Sequence, residues 1–277
     1  MSGSSIHLDA PLPAVTLRPD LDLPPMICFR VTRFCNARCG FCLAPPDGGV
    51  HPPAAALKAR IDWLLARGVR TIHFCGGEPT IHHDLPELIA HVRAQRGKSK
   101  LTTNGIALAD DLIPALLAGK TEVKVSLHGD QDHHDEVVGR AAFHQTVGTI
   151  QRLVRAGVTT SVQTTIVTRH LDVVPWIIRF CLANGVRRVS FLPFIPRGSG
   201  YGSRAEYELT RTERRELRDL VSQKRREYIG RLEIRLLDFN VRPIHVVEPD
   251  GRIVLEGATE ALDVLLFPAT DGIREVV

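Results

Sequence analysis

The sequence predicts an α/β fold: a partial (β/α)6 barrel with an N-terminal arm and a C-terminal α+β cap. Three observations carry the prediction. Six short strand patterns recur between Met26 and Phe194, with helical patterns of 3.6-residue period between them. Strand–helix alternation of this kind requires parallel strands joined by right-handed crossovers. The alternation stops at both flanks, before Met26 and after Gly200.

Residues 1–25 are rich in Pro, Ser and Asp without sustained periodicity, and read as an extended arm. The barrel, residues 26–200, begins with the strand Met26–Thr32. Further strands follow at Arg70–Cys75, Lys98–Thr103, Glu122–Leu127, Thr160–Val167 and Arg188–Phe194. The first intervening helix is marked by Leu57, Ile61, Leu64 and Leu65, the second by Leu85, Leu88, Ile89 and Val92. Two later ones carry Phe143, Val147, Ile150 and Val154, then Val173, Val174, Ile177 and Ile178. Each set occupies one helical face.

Helices pack outside a barrel, so the outward strand positions should be the apolar ones, such as Ile72, Phe74, Val123, Val125 and Leu127. The opposite faces carry Arg30, Thr32, His73, Cys75, Lys124, Ser126, Gln163 and Thr165. A closed eight-stranded barrel fills its interior with branched aliphatics. Polar inward faces therefore predict a wider, open lumen for a polar ligand; strands at a solvated edge would give the same pattern. In residues 201–277, Thr210 and Glu213 form a capping box for a helix reaching Tyr228. A strand, Leu232–Leu237, and a hairpin, His245–Glu248 with Arg252–Leu255, complete a tail expected to cap one end of the barrel.

The bulk properties exclude several classes. A formal charge of +4 spread along 277 residues gives no footprint for nucleic acid. No apolar run approaches the roughly 18 residues that a membrane helix needs. No secretion signal is visible at the N-terminus. Three of the six cysteines fall within eight residues, which is no disulfide framework, so a cytoplasmic, reducing location is expected.

The chemistry is concentrated in Cys35-Asn36-Ala37-Arg38-Cys39-Gly40-Phe41-Cys42, placed just after the first strand. Three thiolates at this spacing suit one iron–sulfur centre with an iron left open. They are also three-quarters of a zinc site, with His51 or Cys75 as a fourth ligand, but no second Cys-x2-Cys knuckle exists. Further motifs end later strands: Gly76-Gly77-Glu78-Pro79-Thr80, Leu101-Thr102-Thr103-Asn104-Gly105 and Val125-Ser126-Leu127-His128-Gly129.

Together these four motifs resemble the radical S-adenosylmethionine (SAM) superfamily, and the resemblance covers Met26 to Gly200, the predicted TIM-like barrel. It is nearest the group of the molybdenum-cofactor cyclase and the peptide-modifying enzymes. The resemblance implies one [4Fe–4S] cluster on Cys35, Cys39 and Cys42, with SAM on the open iron. Reductive cleavage of SAM would give a 5′-deoxyadenosyl radical that takes hydrogen from a substrate carbon. It also implies a SAM site made of Phe41, Gly76, Gly77, Glu78, Pro79, Thr102, Thr103, Asn104, Ser126 and Gln163. In that site the glycines admit the methionyl group, Glu78 meets its ammonium, and Ser126 with Thr102 or Thr103 faces the carboxylate and ribose. An external electron donor such as flavodoxin or ferredoxin follows from the same chemistry, with no nucleic-acid or membrane partner.

The sequence departs from that group in two places. No cysteine follows Cys181, so a single cluster is expected, and the tail hairpin looks like a cluster-domain hairpin without its ligands. Val138-Gly139-Arg140 also reverses the usual Arg–Gly order. Cys28 and Cys181 are expected to pack in the core. Cys75 reads as a structural thiol or as a hydrogen-atom donor beside the glycines. His82-His83-Asp84 and Asp132-His133-His134-Asp135 could rim a site as metal clusters, and otherwise read as solvated loop histidines.

Lys124, His128, Arg197 and Tyr201 are candidate contacts for a small polar substrate: a nucleotide, sugar or amino-acid derivative in cofactor or natural-product biosynthesis. The alternative is modification of a ribosomally made peptide, against which no recognition domain fits before Met26. The sequence leaves open the substrate, the fate of its radical, the recycling of SAM, the oligomeric state and the enzyme class.

Overall fold

The computed structural model describes residues 23–44, 51–237 and 243–268. The arm expected over residues 1–25 lies almost wholly outside them. In chain order the elements begin with β1 (Met26–Arg30), α1 (Ala54–Ala66), β2 (Thr71–Cys75), α2 (Leu85–Ala94), β3 (Lys98–Thr103) and α3 (Leu112–Gly119). Next come β4 (Glu122–Ser126), α4 (Gln131–Val138), α5 (Phe143–Arg155), β5 (Thr160–Ile166), α6 (Val173–Ala183) and β6 (Arg188–Pro193). The remainder holds α7 (Ser199–Gly202), α8 (Arg204–Tyr207), α9 (Arg211–Glu227), β7 (Glu233–Leu236), β8 (Ile244–Val247), β9 (Ile253–Glu256) and β10 (Val264–Phe267).

One ten-stranded sheet runs β10-β9-β8-β1-β2-β3-β4-β5-β6-β7. Strands β1 to β7 pair in parallel, β8 joins β1 in parallel, and β9 runs antiparallel to both β8 and β10. The outer strands β7 and β10 do not meet, so the barrel is unclosed. This corrects the expected placement of the tail. It does not sit over one end of the barrel; it continues the sheet at both edges, β7 beside β6 and β8 beside β1. An open barrel exposes two rows of unpaired backbone groups, and the tail strands pair with them.

The helix-facing side of the sheet is apolar as predicted. Ile27, Phe29, Ile72, Phe74, Leu101, Val123, Val125, Leu127 and Val162 are buried there, with Phe29 and Phe74 edge to face at 6.1 Å. Each such side chain contributes about 1.5–3 kcal/mol by leaving water. The first strand ends two residues earlier than predicted because the Thr32 carbonyl leaves the ladder to accept from the Gly77 N–H at 2.8 Å. Helices α3 and α4 were not legible in the sequence: Pro114 interrupts the first, and the Gln131–Val138 turn is too polar to show a period. The capping box is present, Thr210 accepting from the Glu213 N–H and Glu213 from the Thr210 N–H.

Candidate active site

The cysteine loop crosses the carboxyl ends of β1 and β2 and is held from four sides. Val137 and Val138 at the end of α4 accept from Gly40 and Arg38 N–H at 3.3 and 3.1 Å. Arg140 reaches the Asn36 carbonyl, so the reversed Gly–Arg order still supplies an arginine to this loop. Ser199 N–H donates to the Cys42 carbonyl at 3.0 Å, and Asn104 Nδ2 donates to Asn36 Oδ1 at 2.7 Å and to Cys35 Sγ at 3.8 Å.

Gly76 and Gly77 supply the fourth side. A Cβ on Gly76 would stand 2.3 Å from the Thr32 carbonyl, and one on Gly77 would stand 2.1 Å from the Phe34 carbonyl. Gly76 also has φ +145°, a conformation that side chains disfavour. The glycines are therefore demanded first by the docking of the cysteine loop itself. Glu78 continues the join, its N–H donating to the Phe34 carbonyl at 2.7 Å. Its carboxylate accepts from Thr80 N–H and Oγ1, Thr103 Oγ1 and Asn104 N–H at 2.6–3.0 Å. Burial raises its pKa, and those four donors oppose the rise. Pro79 opens the short 3-10 turn that Glu78 caps.

Cys35, Cys39 and Cys42 share one cavity of about 130 Å³ with Phe41, Gly76, Gly77, Glu78, Thr102, Thr103, Asn104, Ser126 and His128. Burial pushes all three thiols up, and their mutual repulsion adds to this for Cys35 and Cys39. Three half-buried thiols whose ionisation is opposed in this way fit one cationic metal centre that makes them thiolates. His51, the possible fourth zinc ligand, does not line this cavity; its ring lies 4.8 Å from Phe34 and 5.2 Å from His82.

The lumen wall adds a second set of groups. Cys28 and His73 are register partners, with Sγ and Nδ1 4.0 Å apart, and His73 Nε2 lies 2.7 Å from Thr102 Oγ1. Cys28 thus faces the lumen, which corrects its expected core position. A hydrogen bond with the free thiol of Cys75 lowers the Cys28 pKa, and His73 and Arg30 act in the same direction. Cys75, lining the cavity, is held in its thiol form by that bond and by burial. Cys181 alone sits in the apolar core. Lys124 Nζ donates to Gln163 Oε1 at 3.0 Å, across from Ser126, the register partner of Gln163.

His82, His128, His133 and His134 are buried, whereas His83 is exposed, as expected of a solvated loop histidine. The His128 ring lies 4.7 Å from that of Phe41 and tilted 60° to it, and its Nδ1 accepts from Thr165 N–H at 3.1 Å. His134 Nδ1 accepts from His128 N–H at 3.2 Å. Both rings therefore carry their proton on Nε2. Burial lowers the pKa of each, that of His134 to about 4. His133, also buried, stacks on His170. His82, His83 and Asp84 could gather around a cation, but His82 is committed: Nε2 to the Pro52 carbonyl and Nδ1 to Asp84 N–H.

Arg197 lies elsewhere. It forks onto Asp263 at 2.7 Å and reaches Glu256 at 3.1 Å, tying the β6 exit to the tail. Tyr201 is exposed on α7 and is absent from the cavity wall. Sequence reasoning missed the matching lock on β1. Arg30 bonds Glu256 at 2.8 and 3.0 Å and also meets Glu248, which accepts from Arg33 at 2.7 and 3.0 Å. Partners more than 200 residues apart leave no local signal.

Known proteins share this arrangement. Residues 29–172, more than half of the chain, match the Radical SAM superfamily. The chain is 28% identical over 221 residues to Fe-coproporphyrin III synthase of Methanosarcina barkeri, covering 78% of this chain and 55% of that protein. It is 34% identical over 128 residues to GTP 3′,8-cyclase of Chlorobaculum tepidum, covering 44% and 39%. It thus spans about half, or less, of the curated relatives it matches. The solved structure of anSMEcpe with bound AdoMet superposes with a TM-score of 0.73 at 16% identity, covering 90% and 79%, a likeness of fold. With a superfamily match across the cysteine loop and the strands that carry it, the chain belongs to the radical SAM superfamily, whose members are enzymes built on SAM and an iron–sulfur cluster.

Proposed function

We propose that this protein is a single-cluster radical SAM enzyme acting on a small polar substrate, with hydrogen abstraction from carbon as the first step. The observation that carries the reading is the cavity shared by Cys35, Cys39 and Cys42 with a polar lumen wall of Thr102, Ser126 and, beside them, Lys124 and Gln163. Cluster and SAM together supply a 5′-deoxyadenosyl radical when bound. The chain's own residues do the rest. The three cysteines hold the cluster, Phe41 and His128 wall one side, and Ser126 offers an unpartnered hydroxyl. Neutral Nε2–H groups on His128 and His134 donate without adding charge. Cys75 keeps its S–H beside Gly76, available as a hydrogen-atom donor to a substrate radical.

Reduction would come from an external donor of the flavodoxin or ferredoxin type. Anaerobic reconstitution should load about four iron atoms per chain, as one cubane requires. The reduced protein with SAM should release 5′-deoxyadenosine, and Cys39→Ala should abolish both. Eight irons per chain would overturn the single-cluster reading. A SAM-dependent mass change on a peptide, with none on small molecules, would overturn the substrate class.

A further inference from the structure

Two cations stand on the lumen face of the sheet near the cavity, and among the described residues only one is paired with carboxylates. Arg30 on β1 has Glu248 and Glu256. Lys124 on β4 has a single hydrogen-bond partner among the described residues, the neutral oxygen of Gln163. The charges acting on it are those of Cys28, which attracts it, and of Lys100, Arg235 and Arg188, which repel it; no carboxylate is among them. Those three cations already have their own acids, Glu122 and Glu233.

The hydrogen-bond inventory around Lys124 is one-sided. Its ammonium has three donors and one acceptor. The Gln163 amide oxygen is taken, which leaves its NH2 pointing away from Lys124 with no partner among the described residues. Thr102, the register partner of Lys124, lines the cavity, and its hydroxyl is free to donate when His73 Nε2–H donates to it. A partly buried ammonium with three like charges acting on it and only the Cys28 sulfur to attract it is costly, and spare donors beside it add to the cost. Burial and the three like charges accordingly lower the Lys124 pKa. What the site lacks is an oxyanion.

We propose that Lys124 and the amide of Gln163 form an oxyanion subsite, so that the substrate is a carboxylate or a phosphate whose charged end docks on β4 and β5. The proposal rests on the lumen being the substrate site, as read above. A ligand anchored there has its other end at the cavity, because Thr102 and Ser126, the neighbours of Lys124, are part of the cavity wall.

The test is residue-resolved lysine acylation, read by mass spectrometry, on the reconstituted protein with SAM in chloride, phosphate or acetate at matched ionic strength. Phosphate or acetate should slow labelling of Lys124 about tenfold relative to chloride, as a bound counter-ion worth one decade of affinity would. Lys58 and Lys224 should be unaffected. Protection by phosphate alone assigns a phosphorylated substrate, and by acetate alone a carboxylate. Equal labelling in all three salts overturns the subsite.

Melting curves give a second readout. Phosphate or acetate should raise the melting temperature of the wild type and of Lys124→Arg, but not of Lys124→Met. A salt-specific rise that persists in Lys124→Met overturns the proposal. Neither readout needs turnover. Oxyanion protection without 5′-deoxyadenosine formation would sink the enzymatic reading and leave the subsite; the opposite result would sink the subsite alone.

Discussion

Arg30 and Lys124 point into the same lumen from strands three positions apart in the sheet, yet the chain treats them differently. Burial works against the Arg30 charge, but Glu256 and Glu248 outweigh it and raise its pKa. Burial also works against Lys124, only the Cys28 sulfur attracts it and no carboxylate among the described residues does, and its pKa falls. The first cation is spent on architecture: it fastens the tail hairpin to β1. The second remains available. Charge in a lumen therefore reads as structure or as ligand site according to whether the fold itself supplies the counter-ion.

That contrast can be broken most forcefully at Glu248. Replacing it by Gln leaves two guanidiniums with one fewer acid, and unfolding free energy should fall by about 3–5 kcal/mol in denaturant titration. A loss below 1 kcal/mol would remove the architectural reading of Arg30. The β4 side can be tested by pH. His128, His133 and His134 have lowered pKa values, His134 to about 4 against an ordinary 6.5. Between those values the unfolded chain takes up protons that the folded chain refuses, so stability is full above pH 6.5 and drains as pH falls toward 4. Denaturant midpoints should track this, and His134→Phe should flatten the curve. A flat wild-type profile would show that this side accepts charge freely.

Smaller effects serve as references. Thr210→Ala, outside the lumen, should cost about 1 kcal/mol through the lost cap of α9. Lys124→Met should change the stability of the ligand-free protein least, leaving it unchanged or raised, since a partly buried charge with no carboxylate partner among the described residues is removed. A loss matching that of Glu248→Gln would erase the difference between the two cations.

The barrel and the cysteine cavity were legible because their signals are local. Strand alternation exposes Ile72 and Phe74 to helices, and each site motif lies where a strand ends. Gly76 and Gly77 were legible as a need for space, although the space is taken by Thr32 and Phe34 carbonyls. What stayed hidden depends on pairing across the chain. Arg197 reads as an exposed loop arginine until Asp263 and Glu256 are placed beside it. Cys28 reads as core until its register with His73 turns it inward. His133 and His134 read as solvated until α4 is seen to bury them.

The pairing of β1 with β8 also has a consequence for the order of assembly. The partners of Arg30 lie 218 and 226 residues further along the chain. During synthesis, β1 can pair with β2 as soon as both emerge, but its other edge waits for almost the whole chain. The cysteine loop, set by β2, β3 and α4, is thus shaped well before the lumen is sealed on the β1 side. For that interval the outer edge of β1, on the strand that leads into the cysteine loop, waits for β8.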